Sequence, residues 1–320
     1  MQKCLFDTPV LLITFNRLDT TQKVLESLKK QKPSKLFIAA DGPRPDKTGE
    51  KGKCNTVREW LLESIDWDCE VKTLFHDQNL GCGIGPATAI SWFFEHVEEG
   101  IILEDDCVPD ATFFKYCSEL LKKYRNDKRI SIISGTNIDK QQIYTPSNAS
   151  YFFSVFPLTW GWATWKRNWD NFDFEIKKWG EINRKKFLKY LFDKIEFQLA
   201  WKRIFTEIHN NIPTDIWDYQ FFFSSFLKKQ LSIVPNVNLI SNIGYGKNAT
   251  HTNDESSEMA NIPTDEISFP LVHPKIFERN FEYDLMMQRM NYGSIDRITL
   301  YKAIKRWIKK VIKVQLQNSN

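Results

Sequence analysis

Three consecutive carboxylates, Glu104, Asp105 and Asp106, follow directly after a run of apolar residues at 100–103. Such a run, bounded by glycine and by acids, predicts a buried strand whose last residues emerge at the edge of a sheet. Adjacent carboxylates repel one another, and a bound divalent cation relieves that repulsion. Oxygen ligands favour Mg²⁺ or Mn²⁺ over zinc, and a phosphorylated substrate commonly completes the shell of such an ion. The alternative is a solvated acidic turn.

Two other predicted strands also end in polar residues. Asn16 and Arg17 follow a strand at 10–15, and Asp41 and Arg44 follow a strand at 36–40. The helix expected between these strands makes the pattern of a right-handed parallel crossover. Further strands, at 71–75, 100–103 and 130–134, alternate with helices. This order predicts an α/β fold with a mostly parallel sheet flanked by helices, which binds ligands at the carboxyl ends of its strands.

The connecting segments carry weaker signals. Residues 76–86 form a glycine-rich turn before a helix; such glycines let the backbone approach a ligand, but this is not a Walker sequence. The polar segment 45–53 predicts a mobile loop, and helices are expected at 57–65 and 110–124.

Aromatic residues dominate after residue 136. Four tryptophans, Trp160, Trp162, Trp165 and Trp169, fall within ten positions. They either fill the core between two layers or provide one or two rings as a platform for a sugar or a base. Apolar residues at helical spacing predict one helix over residues 184–209.

Asp218 and His251 are further candidates for chemistry. A helix that opens within residues 212–220 has Thr214 or Asp215 as its expected N-cap, which places Asp218 in the first turn, where the helix dipole by itself favours a carboxylate. His251 is one of five histidines and lies in a polar loop, where position alone favours a surface histidine.

The charge of the chain is concentrated at its end. The 320 residues carry a formal net charge of +4, but seven basic residues and no acid lie between residues 297 and 313, so the remainder carries −3. This distribution argues against a general nucleic-acid surface. Apolar residues at helical spacing in the same segment predict an amphipathic helix that lies on an anionic membrane surface. The alternative is a helix that docks on protein.

The six cysteines include no CxxC pair, and no histidine stands at zinc-finger spacing, so neither structural zinc nor a disulfide scaffold is expected. The sequence has no secretory signal and no uncharged apolar run approaching about 18 residues. We therefore expect a reduced cytoplasmic protein, peripheral on the inner face of the cell membrane.

Taken together, these features resemble the GT-A glycosyltransferases, in particular bacterial family 2-like nucleotide-diphospho-sugar transferases, over about residues 8–252. Residues 14–17 resemble the nucleotide loop after the first strand, and Asp41 resembles the second-strand acid that contacts the nucleoside. Residues 104–106 stand where such enzymes keep the DxD metal motif, and they are similar to the motif of the N-acetylglucosaminyltransferase I family. The first acid here is Glu104 rather than Asp.

The resemblance implies a role for each candidate. Asp106 and His251 are the expected ligands of Mn²⁺ or Mg²⁺, and Asp218, which follows Trp217, is the expected catalytic base, with Asp215 second. The expected donor-binding residues are Phe15, Asn16, Arg17, Asp41, Arg44, Asn79, Glu104 and Asp105. The expected acceptor-binding residues are Trp160, Trp162 and Trp217.

The resemblance therefore implies an inverting, metal-dependent glycosyltransferase that moves a sugar from a UDP-sugar to a hydroxyl of a lipid-linked surface polysaccharide, such as capsule or O-antigen. The expected organisation is a catalytic domain at 1–296, with a nucleotide-sugar-binding half at 1–135 and an acceptor half at 136–296, followed by the basic helix at 297–320. Two alternatives remain. One is a sugar nucleotidyltransferase, which usually has a Gly-rich loop with a basic residue directly after its first strand, a feature absent here. The other is a catalytically inactive sugar-binding or assembly module.

Overall fold

The computed structural model describes residues 6–146, 148–211, 215–245 and 259–292. Its elements are, in chain order, β1 (Val10–Thr14), α1 (Leu18–Gln31), β2 (Lys35–Ala40), α2 (Glu50–Ser64), β3 (Glu70–Phe75), α3 (Gly81–His96), β4 (Glu99–Glu104), β5 (Cys107–Pro109), α4 (Ala111–Tyr124), β6 (Ile130–Ser134), β7 (Tyr151–Ser154), β8 (Trp162–Trp165), α5 (Lys166–Trp169), a 3-10 helix (Lys177–Gly180), α6 (Arg184–Leu191), α7 (Ile195–Asn210), α8 (Asp218–Leu227), β9 (Leu231–Pro235), β10 (Ile240–Asn242) and α9 (Phe281–Asn291). Within these ranges no helix is long and apolar enough to cross a membrane.

Eight of the strands form one sheet in the order β3-β2-β1-β4-β8-β6-β9-β7. The first four are parallel to one another, and Leu12 of β1 pairs with Ile38 of β2 and Leu103 of β4. β8 runs antiparallel between β4 and β6. The carboxyl ends of β1, β2 and β4 therefore lie at one edge of the sheet. The predicted α/β fold, with a mostly parallel sheet flanked by helices, is confirmed.

Alternate side chains of the parallel strands pack under helices on opposite faces of the sheet. Leu12 and Leu36 pack in a cluster with apolar side chains of α1, α2 and α4, whereas Leu11 and Phe37 pack with side chains of α3. Because helices cover both faces, the apolar residues of β1, β2 and β4 follow one another without alternation. Fully burying each such side chain contributes roughly 1.5–3 kcal/mol, so the strands hold their ends in place firmly.

The prediction of one helix over residues 184–209 is wrong, because the chain leaves the helical conformation between α6 and α7. Phe192 has an extended backbone, with φ −137 and ψ 124. Its ring stacks on Trp201 with 5.8 Å between centroids, and its carbonyl accepts a hydrogen bond from Gln198 Nε2 at 2.7 Å. Burial of this ring in the aromatic cluster outweighs the local helical periodicity.

The predicted loop at 45–53 is wrong in its second part, because α2 already begins at Glu50. Gly49, with φ +80, turns the chain into the helix. Glu50 is only 5% exposed and accepts a hydrogen bond from the backbone N–H of Arg44 at 2.7 Å. The ion pair of Glu50 with the Arg44 side chain adds to this contact and ties the turn to the helix.

Candidate functional site

A cleft of about 1710 Å³ opens where β1, β2 and β4 end. Segments from both halves of the chain line it, from the end of β1 to the residues after β10. Every predicted site residue lines this cleft except Trp162 and His251. His251 lies outside the described residues, as does the predicted basic helix at 297–320.

The acidic side of the cleft is built around Arg17, at the start of α1. Arg17 Nη2 donates to Asp105 Oδ1 and, at 2.7 Å, to Asp106 Oδ2. Asp105 Oδ2 also accepts hydrogen bonds from the backbone N–H of Phe15 at 3.3 Å and from Thr14 Oγ1 at 3.4 Å. Burial raises the pKa of Asp105 to about 6 even though the Arg17 charge opposes the shift. Asp105 thus connects the end of β4 to the end of β1.

Glu104 and Asp218 come together although they are distant in sequence. Burial raises the pKa of Glu104 to about 8, with further contributions from the negative charges of Asp106, Asp105 and Asp218. The raised pKa favours the protonated form of Glu104, which can donate a hydrogen bond. Asp218 is the first residue of α8, where the positive end of the helix dipole favours a carboxylate.

Asp106 meets the segment after β10. The backbone N–H of Ile243 donates to the Asp106 carbonyl at 2.9 Å. A Cβ at Gly244 would lie 2.0 Å from Asp106 Oδ2, so the carboxylate occupies space that only glycine leaves open. Sequence reasoning missed Gly244, because nothing local marks a glycine that approaches a distant carboxylate.

The described part of the cleft offers few ligands to a divalent cation. The described residues contain no group of three His, Cys, Asp or Glu side chains arranged to hold a metal ion. Asp106 nevertheless fits Mg²⁺ or Mn²⁺ as a single ligand, because it offers carboxylate oxygen and the space beside Gly244 accommodates its carboxylate. The other ligand positions would fall to a phosphorylated ligand and to residues beyond the described ranges, such as the predicted His251.

Asp41 anchors the N-terminus of α3 at the end of β2. Its carboxylate accepts hydrogen bonds from the backbone N–H groups of Gly42, Leu80 and Gly81 at 2.8, 2.8 and 3.0 Å. Asn79 Nδ2 donates to Asp41 Oδ2 at 2.9 Å. This network fixes the wall of the cleft, and direct contact of Asp41 with a nucleoside stays a prediction.

Glu50 organises the neighbouring part of the wall. Its carboxylate accepts hydrogen bonds from Asn16 Nδ2 at 2.9 Å and from Arg44 Nε at 3.0 Å. The Arg44 guanidinium also lies 5.6 Å from the centroid of the Phe15 ring. The Arg44 ion pair lowers the pKa of Glu50. Sequence reasoning assigned Glu50 to a loop and missed it, although an acid after Gly49 was a possible sign of a helix start.

The predicted acceptor-binding tryptophans differ in their exposure. Trp162 is fully buried, and its ring stacks on Trp217 with 5.9 Å between centroids. Because a side chain without exposed surface cannot stack on an acceptor, Trp162 belongs to the core, and its predicted binding role is wrong. Trp217 is 5% exposed but lines the cleft, as does Trp160, which meets Tyr245 edge to face at 6.1 Å.

The tryptophan packing also decides where α8 begins. Trp217 occupies the N-cap position, with its ring against Trp162 and Trp169. The predicted N-cap at Thr214 or Asp215 is therefore wrong. Ring burial fixes the start of α8 and keeps Asp218 in the first turn, facing the cleft.

Comparisons with known proteins give structural similarity only, without any match in sequence. No protein-family model matches the sequence, and no curated protein matches it. Among solved structures, the chain is similar to HddC from Yersinia pseudotuberculosis, with 10% identity, 55% of this chain and 87% of that one covered, and a TM-score of 0.32. It is similar to the inositol-1-phosphate CTP transferase from T. maritima, with 10% identity, 51% and 73% covered, and a TM-score of 0.31. It is also similar to a UDP-glucose pyrophosphorylase complexed with UDP-glucose, with 9% identity, 51% and 78% covered, and a TM-score of 0.30.

These are distant structural matches. At such TM-scores and identities they carry no argument about the reaction of this chain.

Proposed function

We propose that this chain is an inverting, metal-dependent glycosyltransferase that transfers a hexosyl or N-acetylhexosaminyl group from a UDP-sugar to a hydroxyl group of a glycan. The observation that carries the proposal is that Arg17, Asp106 and Asp218, from three distant parts of the chain, line one cleft. A cation to meet phosphate, an acid to hold a metal ion and a separate carboxylate to act as base together serve this reaction.

Donor binding is assigned to the ends of β1 and β2. Arg17 and Arg44 are the positive charges available to the diphosphate. Asp41 and Asn79 line the part assigned to the nucleoside, and the Phe15 ring lies beside the Arg44 guanidinium. Asn16, held by Glu50, completes this group of donor-binding residues.

The transfer is a single displacement. The bond between the sugar C1 and the diphosphate oxygen breaks, and a bond forms between C1 and the acceptor oxygen on the opposite face. The acceptor hydroxyl loses its proton to Asp218, and the nucleoside diphosphate leaves. Asp106, with His251 as a second ligand, would hold a Mn²⁺ or Mg²⁺ ion, which would supply positive charge for the leaving group. Glu104 and Asp105 orient the donor beside it.

The acceptor is proposed to be a lipid-linked surface polysaccharide, as in capsule or O-antigen synthesis. Trp160 and Trp217 line the same cleft as Asp218, and the partly exposed Trp160 offers aromatic surface to a sugar. The basic, amphipathic sequence at 297–320 would hold the protein at an anionic membrane, where such acceptors are found.

A screen of nucleotide sugars with the full chain, in Mn²⁺ and in EDTA, tests the proposal. We expect metal-dependent release of nucleoside diphosphate from at least one donor. Formation of pyrophosphate from a nucleoside triphosphate and a sugar 1-phosphate would instead identify a nucleotidyltransferase. Binding without turnover of any donor would identify an inactive sugar-binding module.

A further inference from the structure

The guanidinium of Arg17 is shared between two neighbouring carboxylates. Its Nη2 contacts both Asp105 Oδ1 and Asp106 Oδ2. The main chain of Arg17 is held at the start of α1, because Thr21 Oγ1 donates to the Arg17 carbonyl at 2.6 Å. Because the main chain is held, Arg17 can leave the two carboxylates only by movement of its side chain. That side chain is 23% exposed.

The two carboxylates depend on Arg17 to different degrees. Asp105 also accepts hydrogen bonds from Phe15 N–H and Thr14 Oγ1, and neither bond involves the guanidinium. Apart from Arg17, the side chain of Asp106 has one hydrogen-bond partner in the described part of the chain, the Cys107 thiol at 3.5 Å. Departure of the guanidinium would thus leave Asp105 anchored and free Asp106 toward the cleft.

Arg17 also has donors to offer elsewhere. Its Nε and Nη1 groups form no hydrogen bond with the described residues, and Arg17 lines the cleft. A planar guanidinium matches the oxygens of a diphosphate well. A guanidinium and a divalent cation that share one carboxylate repel each other, so each weakens the binding of the other.

We propose that Arg17 is the counter-cation of Asp106 in the ligand-free protein and that it moves to the diphosphate of the bound nucleotide, which releases Asp106 for the divalent cation. This inference rests on the proposed function in taking the ligand to be a nucleoside diphosphate with a metal ion. It adds that the protein binds the ion poorly until the nucleotide is present.

Manganese binding to the nucleotide-free full chain, followed by electron paramagnetic resonance, tests the proposal without any turnover. Arg17→Gln should bind Mn²⁺ about tenfold more tightly than the wild-type protein, because a competing positive charge is gone. The same variant should bind UDP in EDTA about tenfold more weakly, because a charged phosphate contact is lost. Unchanged or weaker Mn²⁺ binding by Arg17→Gln would overturn the proposal.

Arg44→Gln is the matched control, since it removes the same charge from the same cleft but its partner is Glu50 rather than Asp106. The Mn²⁺ affinity of Arg44→Gln should stay within about twofold of wild type. A gain in Mn²⁺ affinity equal to that of Arg17→Gln would show that the effect comes from net charge alone and would overturn the proposal. Adding Asp106→Asn to Arg17→Gln should abolish the gain in Mn²⁺ affinity. If the gain persists, the ion binds at a site other than Asp106, and the proposal is overturned.

The wild-type protein provides a test that needs no substitution. Mn²⁺ should tighten UDP binding about tenfold in calorimetry, after correction for the complex that Mn²⁺ and UDP form in solution. An affinity for UDP that is the same with and without Mn²⁺ would overturn the inference even if Arg17→Gln did not fold. The donor screen is independent of these binding measurements, so failure of the inference and failure of the proposed function are distinguishable.

Discussion

Gly244 lies directly against the carboxylate of Asp106, so closely that a Cβ at residue 244 would be 2.0 Å from Oδ2 and 3.0 Å from the Asp106 Cβ. This relationship joins the segment after β10 to the end of β4. It makes the position of the proposed metal ligand depend on the absence of a side chain more than a hundred residues away.

Gly244→Ala should therefore displace the Asp106 carboxylate. We expect Mn²⁺ affinity in the presence of UDP, and turnover of the donor, to fall by about tenfold or more, in the range seen when groups that support a metal ligand are changed. Gly52→Ala is the control, because Gly52 also lines the cleft but has no atom within 4 Å of an added Cβ. Equal Mn²⁺ affinity in both variants would show that Asp106 does not hold the ion.

Asp218→Asn should leave donor binding nearly unchanged and lower kcat by about 10²–10⁴, because the acceptor hydroxyl loses its general base. Calorimetry with UDP and steady-state kinetics separate the two effects. Asp215→Asn is the control, since Asp215 lines the same cleft and is the second candidate. A loss confined to Asp215→Asn would transfer the role of the base to Asp215.

Glu50→Gln should raise KM for the donor about tenfold with little change in kcat, because uniform binding is lost rather than an interaction made only in the transition state. The amide can no longer accept hydrogen bonds on both atoms, so Arg44 and Asn16 lose their common anchor. Glu59→Gln, an exposed position on the same helix, should behave as wild type. An unchanged KM for Glu50→Gln would mean that this part of the wall does not touch the donor.

Asp284→Ala should lower the free energy of unfolding by about 3 kcal/mol in urea titrations, as expected when one partner of a buried ion pair is removed. Asp284 is 2% exposed and accepts hydrogen bonds from Ser154 Oγ, the Val155 N–H and Arg279, which tie α9 to β7.

Glu99→Ala breaks the more exposed pair with Arg125 and should cost less than about 1 kcal/mol. Similar losses for Asp284→Ala and Glu99→Ala would contradict the assignment of Asp284 as the buried anchor of α9.

Deletion of residues 297–320 should abolish sedimentation of the protein with anionic liposomes, because the basic residues and the apolar stripe of this segment are removed together. Binding of the full chain should weaken with added salt and should be small on neutral liposomes. Equal partitioning of the truncated and full chains would contradict the proposal that this segment binds a membrane.

Much of this site was predictable because its signals are local. Strands covered on both faces are apolar throughout, so their ends at Asn16, Asp41 and Glu104 could be recognised, and parallel strands bring their carboxyl ends to one edge. The resemblance added Asp218, which the structure places in the same cleft.

Other features depend on contacts between distant residues, and only the tertiary structure decided them. Trp162 is a core residue because Trp217 packs on it, and the helix over 184–209 is interrupted because Phe192 is buried against Trp201. Glu50 and Gly244 gain their importance from partners that folding brings to them. The sequence by itself determined the parallel strands β1 to β4, the polar ends of β1, β2 and β4 and the fold class, since these follow from periodicity and burial along the chain. The sharing of Arg17 between two carboxylates was decided by the packing of β1 beside β4, which no local pattern encodes.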